Sequence, residues 1–293
     1  MQKVINAWIL SKVTTNFSKP FLTLSPSRGR LGNQMFQMAS LVGIALKYNY
    51  TPVISSECFD LSSVFDLTSL EQVSVDISNN KLFKEGDLSQ YDRDITKYVD
   101  TSELIVPMNR TLDGYFQSYK HFNHSSRIVR QLLTFNKDIL QETKVFLENH
   151  VASNTIKIGI HIRRGDFLSD YHRRLGRLSV DADFIHNAME IFKQRFTDIT
   201  FVVLSNDIVW CKKYITDERN KVVFSPFPSP GHDLALMSQC DHVIISVGTF
   251  GWWGGWLAGG TVVYYSGYPL PGSDIDKYFV KADYNPPEWI GIT

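Results

Sequence analysis

The residues best suited to chemistry lie in one run, Gly159-Ile160-His161-Ile162-Arg163-Arg164-Gly165-Asp166. Isoleucines at 156, 158, 160 and 162 alternate with Lys157, Gly159, His161 and Arg163. In a strand of period two the isoleucines share one face, and His161 and Arg163 lie side by side on the other. An arginine at the carboxyl end of such a strand, just before a glycine turn, stands where open α/β sheets bind their ligands. Its guanidinium fork suits phosphate oxygens and can stabilise negative charge growing on a phosphate leaving group. The competing reading is that Arg163 and Arg164 pair with nearby carboxylates such as Asp166 and Asp170 and merely close a loop.

Two further clusters sit at strand-to-helix turns. In Gly29-Arg30-Leu31-Gly32-Asn33-Gln34 the glycines allow close backbone approach and Asn33 can cap the helix that follows. Free N–H groups at such a helix start attract anions or sugar hydroxyls, although the same pattern serves to start a helix and nothing more. In Ser246-Val247-Gly248-Thr249-Phe250-Gly251-Trp252-Trp253-Gly254-Gly255-Trp256 the tryptophans and glycines read mainly as tightly packed core, whereas Thr249 and Phe250 fall at the turn, where a hydroxyl and an aromatic edge can meet a ligand.

The elements that position these clusters alternate. The second half reads as apolar strands at 156–162, 199–204, 222–225, 243–246 and 261–265, separated by helices at 181–196, 208–215 and 233–240 and a glycine-rich helix. That rhythm predicts parallel strands with crossover helices, a doubly wound sheet. The first half opens likewise, with a strand at 21–24, a helix at 33–47 carrying Met35, Met38, Val42 and Leu46 on one side, and a strand at 51–54. Residues 62–110 carry no clear pattern. The polar stretch 152–155 reads as a domain junction, giving an amino-terminal lobe of residues 1–152 and a carboxyl-terminal lobe of 153–293.

Composition excludes several classes. The 293 residues are 43% apolar and 20% charged, a globular balance, with 30 basic residues against 30 acidic. Neutrality removes a global electrostatic argument for nucleic acid or anionic membrane binding. Cys58, Cys211 and Cys240 are too few and too scattered for a disulfide framework or a CxxC zinc site, so zinc is not expected. There is no phosphate-binding GxxxxGK[ST] loop, no GxSxG elbow and no His-x-x-x-His pair. No stretch reaches the roughly 20 apolar residues of a membrane span, so the chain reads as soluble as written. Asn16, Asn49, Asn109 and Asn123 are N-glycosylation acceptors by motif, which suits a secretory lumen.

Taken together, Gly-Arg-Leu-Gly-Asn-Gln at 29–34, His-x-Arg-Arg-Gly-Asp at 161–166, Ser-Asn-Asp at 205–207 followed by Trp210, Thr-Phe-Gly-Trp-Trp at 249–253 and Pro-Glu-Trp-Ile-Gly-Ile at 287–292 resemble the α-1,2-fucosyltransferases. The resemblance spans nearly the whole chain. It implies a GT-B-like α/β fold with two Rossmann-like doubly wound domains facing a central cleft, the amino-terminal lobe on the acceptor side and the carboxyl-terminal lobe binding GDP-fucose. It further implies transfer of L-fucose to the 2-hydroxyl of a terminal β-galactoside on protein or lipid, inverting and without metal or other cofactor. Carried over by position, Arg163 holds the donor diphosphate with His161 and Arg164 shaping its loop, Asn33 reaches it from the first lobe, and Thr249 and Phe250 border the nucleotide-sugar; Asp166 is the nearest carboxylate to serve as base. A Golgi location follows from the same resemblance. Gly248 departs from the family, standing where many members carry a small hydroxyl residue. The alternatives are a protein O-linked or core N-acetylglucosamine acceptor, or an inactive glycan- or nucleotide-binding homologue.

Overall fold

The computed structural model describes residues 4–10, 19–25, 29–55, 59–68, 70–86, 89–91, 94–99 and 108–293. The chain divides into two units, Met1–Asn136 with Phe279–Asn285 and Lys137–Tyr278 with Pro286–Thr293.

In the first unit β1 (Val4–Leu10), β2 (Phe21–Leu24), β3 (Thr51–Ser55), β4 (Leu70–Asp76), β5 (Lys81–Lys84) and β6 (Arg110–Asp113) form one sheet in the order β4-β1-β3-β2-β6-β5. The neighbours among β2, β3, β5 and β6 are parallel, whereas β1 runs antiparallel to both β3 and β4. The doubly wound pattern therefore holds for the parallel strands only. Helix α1 (Leu31–Lys47) is buried almost all round rather than along one side: Met35, Phe36, Met38, Ala39, Leu41 and Val42 are each fully covered. Gly43 makes part of that possible, because a Cβ there would lie 2.3 Å from the carbonyl of His121, so the chain crosses directly over the helix. Short helices α2 (Phe59–Val64), α3 (Asp94–Val99) and α4 (Ser126–Leu132) complete the main run.

The second unit begins earlier than the polar junction at 152–155 suggests. Helix α5 (Lys137–His150) packs Phe146 and Leu147, followed by Val151, onto the second sheet, and Gln239 donates to the Thr143 hydroxyl across 2.6 Å. Its apolar side thus belongs to the second core, and the division falls between Asn136 and Lys137. Then come β7 (Ile156–Ile162), α6 (Asp170–Arg174), α7 (Ala182–Lys193), β8 (Ile199–Ser205), α8 (Ile208–Tyr214), β9 (Lys221–Phe224), α9 (Pro230–Ser238), β10 (His242–Ile245), α10 (Thr249–Ala258) and β11 (Val262–Tyr265). After α11 (Lys281–Tyr284), which belongs to the first unit, the chain ends in β12 (Ile290–Ile292). Asp283 anchors α11 there: its carboxylate accepts from Tyr91 N–H at 2.9 Å and pairs with Lys120 at 2.5 Å, and its carbonyl accepts from Ser118.

The second sheet is wholly parallel in the order β12-β11-β10-β7-β8-β9, the arrangement of doubly wound nucleotide-binding sheets. Alternation along the strands builds a core on each face. Ile158, Ile160, Ile162, Phe201 and Val203 meet Phe184, Ile185 and Met189 on one side, while Val202, Leu204, Val243 and Ile245 meet Phe146, Leu236 and Met237 on the other.

Cys211 and Cys240 are free, buried thiols, and burial pushes Cys240 up to about 12; Cys58 lies outside the described residues. Of the glycosylation acceptors, Asn49 and Asn123 are exposed, Asn109 is half-buried with its Oδ1 accepting from Phe21 N–H, and Asn16 lies outside the described residues. Among the described residues no helix is long and apolar enough to cross a membrane.

Candidate active site

Connections from β7 run one way along the second sheet through β8 to β9, and those from β10 run the other way through β11 to β12. The adjacent carboxyl ends of β7 and β10 therefore form the switch point at which such sheets open a crevice. His161, Arg163, Thr249 and Phe250 all gather there, on the ends of these two strands and the start of α10.

Arg163 is held by its backbone before its side chain does anything. Its N–H donates to the Ser246 hydroxyl at 2.8 Å, and its carbonyl accepts from the Ser179 hydroxyl at 3.1 Å. On the other flank, Ser205 donates to the Ile162 carbonyl at 2.7 Å. The guanidinium gives Nη2 to Asp166 at 2.6 Å and lies 5.2 Å from the Phe167 ring centroid. Arg163 remains 22% exposed, so its fork is fixed yet accessible. The loop-closing pair with Asp166 is thus real, and it coexists with that access.

Arg164 is placed differently. Its Nε meets Asp207 at 3.3 Å, its Nη1 donates to the Val180 carbonyl at 3.4 Å, and its guanidinium carbon sits 3.9 Å from the Trp210 centroid. Its N–H donates to Asn206 Oδ1 at 2.9 Å, while Asp207 also caps α8 through the Trp210 N–H. The Ser-Asn-Asp and Trp210 signature therefore folds the Arg164 loop against the end of β8. Gly165 has φ +49°, and a Cβ there would lie 2.2 Å from Asn206 Nδ2, so the turn needs glycine.

His161 is buried beside Phe250, with ring centroids 5.1 Å apart. Burial, reinforced by the Arg163 charge, holds its pKa down to about 3, so the ring is neutral. Among the described residues its Nδ1 is buried without a hydrogen-bond partner, and it faces Gly251, where a Cβ would stand 2.6 Å away. Helix α10 can approach β7 this closely only with glycine at that position. Gly248, the departure from the family, is the residue before α10 and has φ +91°, a conformation that a hydroxyl-bearing side chain would strain.

Asn33 lies in the first unit and is not the cap of α1. The helix begins two residues earlier, at Leu31 with Arg30 as N-cap, because Gly29 at φ +79° turns the chain ahead of the expected start; Asn33 Oδ1 instead accepts from Gln117 at 3.1 Å. Among the described residues no group of three His, Cys, Asp or Glu is placed to hold a metal.

Asp233 escaped the sequence reading. It stands in the first turn of α9, just past the carboxyl end of β9, where Ser225 donates to it at 2.5 Å. Burial raises its pKa from 3.8 to about 6, with the Ser225 hydrogen bond opposing. The folded state therefore keeps the proton between about pH 4 and 6, and the stability this contributes is lost as pH rises through 6. Asp233→Asn should be more stable than the parent by about 1–2 kcal/mol at pH 7.5 and equal to it near pH 4, read from urea unfolding at both pH values.

The comparisons with known proteins agree with this architecture. The family described as glycosyl transferase family 11 matches residues 1–293. Galactoside alpha-(1,2)-fucosyltransferase 1 of Sus scrofa and its Homo sapiens counterpart are each 31% identical over 273 residues, 90% of this chain and 73% of theirs. Among solved structures, a mutant Arabidopsis thaliana FUT1 in complex with GDP superposes with a TM-score of 0.55 at 16% identity, covering 87% of this chain and 72% of that one. NodZ alpha-1,6-fucosyltransferase soaked with GDP-fucose gives 0.52 at 15% identity, covering 85% and 96%. The fold is the GT-B-like α/β architecture that these fucosyltransferases share.

Proposed function

The chain belongs to glycosyl transferase family 11, and from that premise we propose that it moves L-fucose from GDP-fucose to the 2-hydroxyl of a terminal β-galactoside, inverting the anomeric centre and using no metal. The observation that carries this reading is the Arg163 fork, fixed by backbone bonds at the switch point between β7 and β10.

Asp166 occupies Nη2, which leaves Nη1 and Nε of Arg163 for the oxygens of the donor diphosphate. The first N–H groups of α10, at Thr249 and Phe250, lie at the same switch point and favour an anion. Donor fucose is β-linked and the product α-linked, so the acceptor oxygen attacks opposite the departing GDP. As the bond to the sugar breaks, charge grows on the β-phosphate, and a preplaced guanidinium lowers that barrier without reorganising. Neutral His161 walls the site with Phe250. Asp166, with one oxygen already committed to Arg163, is assigned the role of orienting that fork in place of the base role expected from its position in the sequence. Arg164 is assigned to shaping the loop, Asn33 of the first unit to substrate binding, and the proposed setting is the Golgi lumen.

The test is incubation of the purified chain with GDP-fucose and a panel of acceptors, with and without EDTA, followed by linkage analysis. An α-1,2-fucosylated galactoside, formed equally with EDTA, is the expected product. Fucose on core N-acetylglucosamine or on Ser/Thr would replace the acceptor assignment, GDP binding without any product would make this an inactive homologue, and loss of turnover with EDTA would end the metal-free scheme.

A further inference from the structure

The excursion from Arg163 to Arg177 carries five arginines and two aspartates in a chain that is neutral as a whole. Arg173 and Arg174 are exposed. Arg163 is paired with Asp166 and Arg164 with Asp207. Arg177 is half-buried, and among the described residues no carboxylate pairs with it. Its hydrogen bond goes instead to His172 Nδ1, at 2.9 Å. A guanidinium can only donate, so Nδ1 is the acceptor and the other ring nitrogen, Nε2, is left as the N–H edge. That edge lies 3.9 Å from Asp166 Oδ2, the carboxylate whose other oxygen holds Arg163. Both cations lie over the Phe167 ring, the Arg163 guanidinium 5.2 Å and that of Arg177 5.7 Å from its centroid.

The cluster thus sets two guanidinium groups, Arg163 and Arg177, against the single carboxylate of Asp166. Its location ties it to the sheet end: the Ser179 hydroxyl donates to the Arg163 carbonyl, and the Leu270 N–H, in the loop after β11, donates to the Gly176 carbonyl at 2.9 Å. Arg177 therefore sits on a loop tied through Ser179 to the residue that follows β7. Arg164, the second arginine of the sequence signature, has its fork committed to Asp207, Ser179 and the Val180 carbonyl and its face to Trp210. A nucleoside diphosphate brings more negative charge than one guanidinium balances.

We infer that Arg177, seated on His172 and sharing the Phe167 ring with Arg163, is a second guanidinium that holds the diphosphate of the nucleotide-sugar. This deepens the donor-site reading and rests on it. Arg163 takes one phosphoryl group along its open edge and Arg177 the other, while His172 keeps the Arg177 fork from collapsing onto Asp166.

Calorimetric titration of the full chain with GDP and with guanosine tests this. The parent should bind GDP, and Arg177→Ala should weaken GDP at least about tenfold while leaving guanosine within twofold. Equal GDP affinity in parent and R177A overturns the inference and leaves the donor-site reading standing. A parent that does not bind GDP overturns both, and an equal loss for guanosine overturns the phosphate assignment. Should R177A fail to melt cooperatively, Arg177→Lys keeps charge and stem but removes the fork; a GDP loss of about threefold or more then supports the inference, and none overturns it.

Discussion

Arg163→Ala should lower fucosyl transfer by about 10²- to 10³-fold or more, the scale of removing one preplaced donor at a site of developing charge. The residue is 22% exposed and contributes no side chain to either apolar core, so the variant should melt within a few degrees of the parent. Because the loss falls on charge that grows during bond cleavage, kcat should fall with kcat/KM rather than KM rising alone. Arg163→Lys should recover only part of the loss, since an ammonium supplies the charge without the fork. Steady-state transfer of labelled fucose from GDP-fucose to a β-galactoside measures all of these. Retained turnover in a folded R163A chain would remove the residue from the chemistry, and with it the observation on which the functional reading stands.

The largest expected stability effect comes from Trp252, inside the same strand-to-helix signature. Its side chain is fully buried, packed edge-on to Trp253 with centroids 5.0 Å apart and tilted against Trp289 at 5.2 Å. Trp252→Ala should cost about 3–5 kcal/mol, because the void left among rigid neighbours closes only in part. For a unit of this size, that corresponds to a fall in Tm of order 10 °C. The carboxyl-terminal Pro-Glu-Trp-Ile-Gly-Ile run explains part of the cost: it carries Trp289 to this contact and forms β12, the edge strand beside β11. A thermal melt that left W252A within about 2 °C of the parent would show that the site collapses around the gap. Transfer activity of the folded fraction should persist, since Trp252 lies in the core and Thr249 and Phe250 face the switch point.

These two residues also show how far the linear sequence carries. Alternation of isoleucine with Lys157, Gly159, His161 and Arg163 predicted both the strand and the side on which Arg163 emerges, because the two-residue period of a strand is a local rule. Strand–helix alternation predicted the parallel second sheet for the same reason. The fates of the neighbouring charges were not local. Arg163 and Arg164 are adjacent and chemically identical in sequence, yet one keeps an accessible fork and the other is spent on Asp207 and Trp210, more than 40 positions away. Burial of α1 on nearly every side likewise depended on the crossing at His121, and the assignment of α5 to the second core depended on Thr143 and Phe146 meeting partners beyond residue 200.

Residue types and their spacing alone predicted the parallel second sheet and the strand end that bears Arg163, and the resemblance of the motifs pointed to the family. Only the tertiary structure decided which cations stay available to an anion, that Asp166 holds one of them, that Arg177 lacks an acid among the described residues, and that Asp233 sits where burial favours its proton. The physical reason is that periodicity fixes which way a side chain leaves its own element, whereas the availability of a charge depends on desolvation and on partners that distant segments bring within a few ångströms.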